Sequence, residues 1–235
     1  QLNAGDEILG TTHEYGACEY AWRFACEPQG ARYVPASIPL PLEPAAFVEH
    51  FWAQVTPRTR VIFMSHITSV SALILPIAEI IQRARAAGIL TVIDGAHAPS
   101  QLALNLEALG ADFYTGNLHK WLCAPKGAAF LYARPEHHAM LHALTVSWGY
   151  TLEYGHMPPA TEYTGDGTLV RRMQYQGTRD LAAFLSVPAA IDFQANHHWD
   201  AVRERCHAMC RETSARVAGL TGLAQVCQAQ GVQLT

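Results

Sequence analysis

Short apolar runs that do not alternate, separated by stretches of helical period, constrain this chain more than any other feature. Residues 7–11, 61–66, 89–94, 112–115 and 128–132 read as strands, and most of them are apolar along their whole length. A strand with one wet face alternates; a strand covered by helices on both faces does not need to. Between these runs, residues 46–55 place Phe47, Phe51 and Val55 on one helical face, and residues 76–87 do the same with Ile77, Ile80, Ile81 and Ala84. Pro76 suits a first helical turn and Gly88 a helix end. The order of the elements predicts an α/β fold, a mostly parallel sheet flanked by helices and joined by right-handed crossovers.

With 235 residues, half of them hydrophobic, the chain can bury one sizeable core or one domain and part of another. Residues 136–176 lose the pattern: Gly149, Gly155, Pro158, Pro159, Gly165 and Gly167 are spread through an aromatic, polar stretch that reads as long loops near a site. Helical period returns over 181–196 and again over 199–220, where Val202, Cys206, Met209, Cys210, Thr213 and Val217 are expected on the inner side. The expected division is a large domain over 1–196 and the start of a smaller C-terminal α/β domain over 197–235. The first residue is Gln1, not Met, and Gly231 to Thr235 reads as the entry to a strand, so the expectation is a fragment of a longer protein.

Charge and cysteine usage narrow the function. Sixteen basic against twenty acidic residues give a formal net charge of -4, and no helix carries a basic stripe, which argues against nucleic acid as partner. No apolar run reaches the length of a membrane helix. The six cysteines form no CxxC pair and no dense framework, so reduced thiols in a cytoplasm are expected. A small-molecule substrate fits these features better than a macromolecule.

Two residues then carry chemistry. Asp94 ends the apolar run ILTVID and is followed by Gly95, Ala96 and His97, so a carboxylate stands where open α/β sheets bind ligands. Buried there, it needs a cationic or donating partner: a protonated pyridine nitrogen, a metal ion or a helix N-terminus. The alternative is an Asp that merely caps the following helix. Lys120 also falls on a strand-end loop, between His119 and Trp121, and partial burial beside another cation favours the free, nucleophilic amine.

Five blocks, in this order and spacing, carry a resemblance: Thr12-His13-Glu14-Tyr15-Gly16, Ser65-His66-Ile67-Thr68-Ser69, Asp94-Gly95-Ala96-His97-Ala98-Pro99, Asn117-Leu118-His119-Lys120-Trp121 and Gln176-Gly177-Thr178-Arg179-Asp180. Together they resemble the class V aminotransferase-like enzymes of fold type I, which use pyridoxal 5'-phosphate (PLP), and look closest to the isopenicillin N epimerase-like branch beside the cysteine desulfurases. The resemblance implies that Lys120 carries PLP as a Schiff base, shuttles the Cα proton of an amino-acid substrate and works through a quinonoid. It implies that Asp94 pairs with the pyridinium nitrogen, which keeps the ring an electron sink. His97 is expected beside Asp94 and the ring oxygen, His13 stacked on the ring, and His119 on the phosphate. Thr178 is expected to reach the phosphate of the neighbouring subunit, which makes the protein a homodimer.

Two positions depart from the desulfurase pattern. Asn117 stands where a serine often binds the phosphate, and Ser69 where an asparagine often bonds the ring oxygen; both still supply donors. The family's N-terminal phosphate loop is expected before Gln1 and its substrate-carboxylate arginine after Thr235. Cys123, near Lys120, is a weak candidate for a persulfide role, and Arg171, Arg172 and Arg179 for an anionic substrate group. Two other readings compete: a metal-dependent hydrolase built on His13, His66, Asp94, His97 and His119, and a noncatalytic PLP-fold dimerisation module. Lys120 and Thr178 have no place in the first, and the joint presence of Lys120 and Asp94 speaks against the second.

Overall fold

The computed structural model describes residues 2–147, 169–170, 173 and 176–226. Six strands form one sheet: β1 (Glu7–Thr11), β2 (Arg32–Ala36), β3 (Thr59–Ser65), β4 (Leu90–Asp94), β5 (Phe113–Asn117) and β6 (Ala129–Ala133), in the order β2-β1-β3-β4-β5-β6. The first five are mutually parallel, and β6 closes the edge antiparallel to β5. The described helices are α1 (Gly16–Cys26), α2 (Pro44–Trp52), α3 (Ile77–Ala86), α4 (Leu106–Leu109), α5 (Ala182–Leu185), α6 (Val187–Asn196) and α7 (Trp199–Thr221).

The lack of alternation is explained by packing on both faces. Ile62 and Met64 of β3 point into a core with Phe47 and Phe51 of α2 and with Ile77, Ile80 and Ile81 of α3. Val61 and Phe63 of the same strand point the other way, into a second cluster with Ile8, Tyr33 and Cys26, against which Trp22 of α1 packs. Each fully buried side chain of this size contributes on the order of 1.5–3 kcal/mol.

Four features of the fold go beyond the sequence expectations or correct them. β2 has no strand signal because Pro35 interrupts it, and proline is tolerated there because β2 lies at the sheet edge. α1 opens at Gly16 and is mostly exposed, so it shows no apolar stripe of the usual width. β5 runs on to Asn117, two residues past its expected end. In α7 most of the expected inner side is outside: Val202, Cys206, Met209, Thr213 and Val217 are exposed, and of that set Cys210 alone is half-buried. Arg203, His207, Cys210, Ser214 and Ala218 are the half-buried stripe instead. Polar anchors set that rotation, since Arg203 Nη1 donates to Ser100 O at 3.0 Å and His207 Nε2 lies 2.8 Å from Gln101 Oε1.

No described helix is long and apolar enough to cross a membrane. Cys18, Cys26, Cys123 and Cys206 are free thiols.

Candidate active site

Because β1, β3, β4 and β5 are parallel, their carboxyl ends open on one edge of the sheet, and that edge gathers the residues the motifs single out. Thr11 leads to Glu14 and Tyr15, Ser65 to Ile67 and Ser69, Asp94 to His97, and Asn117 to His119 and Lys120. Register makes the convergence close, with Ser65 paired to Asp94 and Asp94 to Thr115. A cavity of about 410 Å³ lies there, and Ser69, Asp94, His97, Asn117, His119 and Lys120 are all on its wall.

The turn that carries Asp94 is fixed from several sides. Asp94 Oδ1 accepts the Ala96 N–H at 2.9 Å, Asp94 O accepts the His66 N–H at 2.8 Å, and Gly95 N–H reaches Thr115 O at 2.9 Å. The second carboxylate oxygen, Oδ2, accepts the Cys18 thiol at 3.7 Å. Burial first, and then the Asp94 charge, push the Cys18 thiol up to about 11, so it stays protonated and serves as a donor.

The buried acids sort by the edge of the sheet on which they sit. At the amino edge each has a cationic side-chain partner: Asp6 with Arg60, Glu7 with Arg32 and Arg58, Asp112 with Arg134 and His137. At the carboxyl edge, Asp94 and the buried Glu14 have no such ion pair among the described residues. Glu14 instead accepts Thr11 Oγ1 at 2.6 Å, Ser65 N–H at 2.8 Å and Ser65 Oγ at 2.6 Å. Burial, the largest influence, outweighs these bonds and raises Glu14 to about 7, with Asp94 adding a smaller upward push. Neither carboxylate is spent on an ion pair among the described residues, so this edge can receive a cationic ligand group.

Lys120 Nζ lies 3.0 Å from His97 Nε2, and Trp121 Nε1 donates to His97 Nδ1 at 3.3 Å. Burial, and next the charge of Lys120, lower His97 below its ordinary value against the opposing pull of Asp94. His119 Nδ1 is buried without a hydrogen-bond partner among the described residues. A smaller cavity of about 110 Å³ adjoins the first, sharing Ile67, Ser69 and His97 and walled on its far side by Trp121.

Two expected site residues are not brought to the wall. His13 turns aside to Ser71, Nδ1 lying 2.8 Å from Ser71 Oγ, and the cavity wall holds Tyr15, 53% exposed, and Phe63 as its phenyl-type rings. Thr178 is exposed and lies outside the cavity of its own chain. Cys123 is exposed too, with its thiol on Trp121 O at 3.6 Å. Arg171 and Arg172 lie outside the described residues, and Arg179 stacks its guanidinium on Phe184 at 5.2 Å. Glu14, Tyr15 and Ser65 lie within the motif blocks but were given no role from the sequence, and Cys18 lies outside those blocks. The available signal was that β1 ends on the same edge as β4 and β5, so the residues after it had to face the same cavity.

The metal reading loses its ligands to other partners. Burial drives His66 down to about 4, and its Nδ1 lies 2.9 Å from the Tyr114 hydroxyl. His13 is held by Ser71, and among the described residues no three His, Cys, Asp or Glu side chains gather around one point.

Residues 1–232 match the family described as aminotransferase class-V. The chain belongs to that family. It is 38% identical over 232 residues to the isopenicillin N epimerase of Amycolatopsis lactamdurans, covering 97% of this chain and 58% of that protein. To the isopenicillin N epimerase of Streptomyces clavuligerus it is 41% identical over 207 residues, covering 87% and 52%. The chain thus spans little more than half the length of these class-V relatives. Among solved structures, a mutant of the lyase C-DES with glycine covalently linked to its PLP cofactor superposes with a TM-score of 0.75 at 22% identity, over 90% of this chain and 56% of that one. At that identity the likeness speaks to the class-V fold alone.

Proposed function

We propose that the cavity at the carboxyl edge of the sheet is the reaction centre of a PLP-dependent enzyme that acts at the α-carbon of an amino acid. The observation that carries this reading is the convergence of Asp94, His97, Asn117, His119, Lys120 and Ser69, drawn from three strand ends, on one wall. The residues fit the cofactor. Asp94 offers a carboxylate without a side-chain cation, His119 Nδ1 has an unmet hydrogen-bonding capacity, and Lys120 presents its amine to the same space.

In this reading Lys120 holds the cofactor through its amine, Asp94 pairs with the ring nitrogen, Ser69 and His97 face the ring oxygen, and Tyr15 supplies the flat wall first expected of His13. His119 and Asn117 hold the phosphate, joined by Thr178 of a second copy of the chain. PLP supplies a protonated ring that withdraws electrons from a bond broken at the α-carbon. Asp94 keeps that ring protonated, because its Oδ1 is fixed by Ala96 and its Oδ2 is held only by a weak thiol donor that a stronger cation displaces. Lys120 Nζ takes the α-proton and returns it.

Epimerase-like proton movement is favoured over desulfuration. The support is the likeness to the isopenicillin N epimerases, at 38% and 41% identity, against 33% and 30% for cysteine desulfurases. The desulfurase and lyase relatives keep desulfuration or β-elimination as the second reading.

The sequence holds two lysines, Lys120 and Lys126, which makes the test a two-way choice. Borohydride reduction of the protein with PLP, followed by peptide mapping, is expected to place the pyridoxyl label on Lys120. A label on Lys126, or no label, overturns the reading. Turnover is then followed by loss of optical rotation against release of sulfide, pyruvate or ammonia, which separates the two reactions.

A further inference from the structure

The smaller cavity, of about 110 Å³, adjoins the larger one along Ile67, Ser69 and His97, which line both. Its other walls are Thr68, Ala72, Gln101 and Trp121, so its lining is mainly apolar. The polar groups on these walls are nearly all spent. Thr68 Oγ1 accepts the Leu73 N–H at 2.9 Å and lies 2.9 Å from Ser71 Oγ, and the two ring nitrogens of His97 meet Lys120 and Trp121. Gln101 is the exception. Its Oε1, a carbonyl oxygen that can only accept, receives the Nε2 proton of His207 at 2.8 Å, and among the described residues no acceptor meets its amide N–H₂.

Backbone strain gathers at the same place. Of the four described non-glycine residues with a left-handed backbone, Ala72 (φ 52°) is on the wall, Ser100 (φ 66°) precedes Gln101, and Cys123 (φ 64°) stands two residues past Trp121. Such conformations persist only where the surroundings hold them, and they cluster at ligand sites. Here the surroundings are α6 and α7. Arg203 Nη1 donates to Ser100 O at 3.0 Å, Ser100 Oγ donates to Gln194 Oε1 at 2.8 Å, and Gln194 Nε2 donates to Trp121 O at 2.7 Å. With the His207 contact, these bonds fix the Gln101 and Trp121 walls from outside and use none of the groups that face inward.

We propose that the smaller cavity is the subsite for the substrate's side chain, and that Gln101 is a specificity-determining residue whose amide N–H₂ donates to an amide carbonyl at the end of a short methylene stem. The assignment rests on the reading of the larger cavity as the place where the α-carbon reacts. A volume of 110 Å³ takes about four non-hydrogen atoms, at the roughly 30 Å³ that one water-sized group fills. A carboxamide on one methylene fills that space, as does one on two methylenes whose first stays in the larger cavity. A carboxylate is disfavoured, because no Lys or Arg stands on these walls and burial, the first of its causes, lowers His97 below its ordinary value. An ammonium would set N–H against N–H₂. An aliphatic side chain would leave the Gln101 donor without a partner. The substrate class is therefore an α-amino acid of the glutamine type.

Binding, not turnover, is the readout. L-glutamine, L-glutamate and L-norvaline are titrated into the PLP-loaded protein while the cofactor's absorbance is followed, and L-glutamine is expected to bind about tenfold more tightly than either of the others, the worth of one hydrogen bond. Gln101→Glu keeps the length of the side chain and an oxygen for His207 but replaces the donor by an acceptor. In that variant the preference for L-glutamine is expected to vanish while PLP affinity is unchanged. Equal binding of the three amino acids by the wild type overturns the proposal, and so does a preference that survives in the variant. A variant that loses PLP along with the preference also overturns it, because Gln101 would then be a support of the fold. A second measurement needs neither cofactor nor variant stability: in ¹⁵N-labelled, cofactor-free wild type, the side-chain amide signal of Gln101 is expected to move with L-glutamine and to stay with L-norvaline. A signal that L-glutamine leaves in place overturns the proposal. A moving signal beside a borohydride label on Lys126 sinks the functional reading alone, and a label on Lys120 beside an unmoved signal sinks the subsite alone.

Discussion

Glu14 and Glu7 show how differently two buried acids behave on one strand and its following turn. Burial opposes ionisation of Glu7, but Thr56, Arg32 and Arg58 outweigh it and hold the carboxyl at about 2. Its contribution to stability is present above pH 4.5 and lost as the pH falls towards 2. Glu14 is the reverse case. Its value is raised from 4.5 to about 7, so its contribution is complete below pH 4.5 and is lost as the pH rises through 7. A shift of that size corresponds to a cost on the order of 3 kcal/mol for holding the ionised form in place. Glu14→Gln removes the charge at nearly constant shape. Urea unfolding is therefore expected to show wild type losing stability between pH 5 and pH 8.5 by more than the variant does, with the gap growing above pH 4.5 and levelling off past pH 7. Parallel curves for the two proteins would mean that Glu14 titrates alike in the folded and unfolded states and that burial does not raise it.

The turn between β4 and the Asp94–His97 loop is the element on which the site depends most directly. Gly95 is required there by close approach and not by its backbone angles: a Cβ added to it would lie 2.1 Å from Cε1 of Tyr114. Tyr114 cannot give way easily, since it is fully buried, stacked near Phe130 and held by His66. Gly95→Ala therefore forces either the β5 core or the Asp94 turn to move. Overpacking of this kind costs about 1–3 kcal/mol, and the displaced Asp94 is expected to weaken PLP affinity as well. Chemical unfolding and fluorescence titration with PLP check both, and a variant matching the wild type in the two measurements would show slack in the turn. α1 belongs to the same element-level account. Its first turns bring Tyr15 and Cys18 to the cavity, and its outer face leaves Tyr20 and Phe24, one turn apart, exposed.

At the scale of the molecule, the C-terminal helices brace the site. Gln194 of α6 donates to Trp121 O at 2.7 Å and accepts from Ser100 Oγ at 2.8 Å, while Arg203 and His207 of α7 hold Ser100 and Gln101. The loops after β4 and β5 are thus tied to helices about 75 to 105 residues further along the chain, as the sequence separations of these bonds show. The apolar side chains left exposed on α1 and α7 and the exposed position of Thr178 support the two-fold assembly proposed above. Mixing Lys120→Ala with Thr178→Ala subunits tests it. If Thr178 serves the partner's site, each mixed dimer holds one site with both residues wild type, and activity is expected to rise above that of either parent. No rise would place Thr178 in its own chain's site.

What the sequence determined was local. Apolar runs without alternation specify strands buried on two faces, because the faces of a strand are read residue by residue. Asp94 and Lys120 were legible because the first ends a strand and the second stands just past one, and a parallel sheet sends all such ends to one edge. Where the local signal failed, a longer-range fact decided. β2 holds Pro35 because it lies at the edge of the sheet, and α7 turns Val202 and Val217 outward because Arg203 and His207 find partners on a distant loop. His13 and Tyr15 are two residues apart, and only the packing of α1 puts the second and not the first on the wall. The contact between His97 and Lys120 crosses 23 residues, and Trp121 reaches the other ring nitrogen of the same imidazole. Hydrogen-bond roles are set by atoms within about 3 Å of each other, and which atoms come that close is decided by strand order and register and not by spacing along the chain.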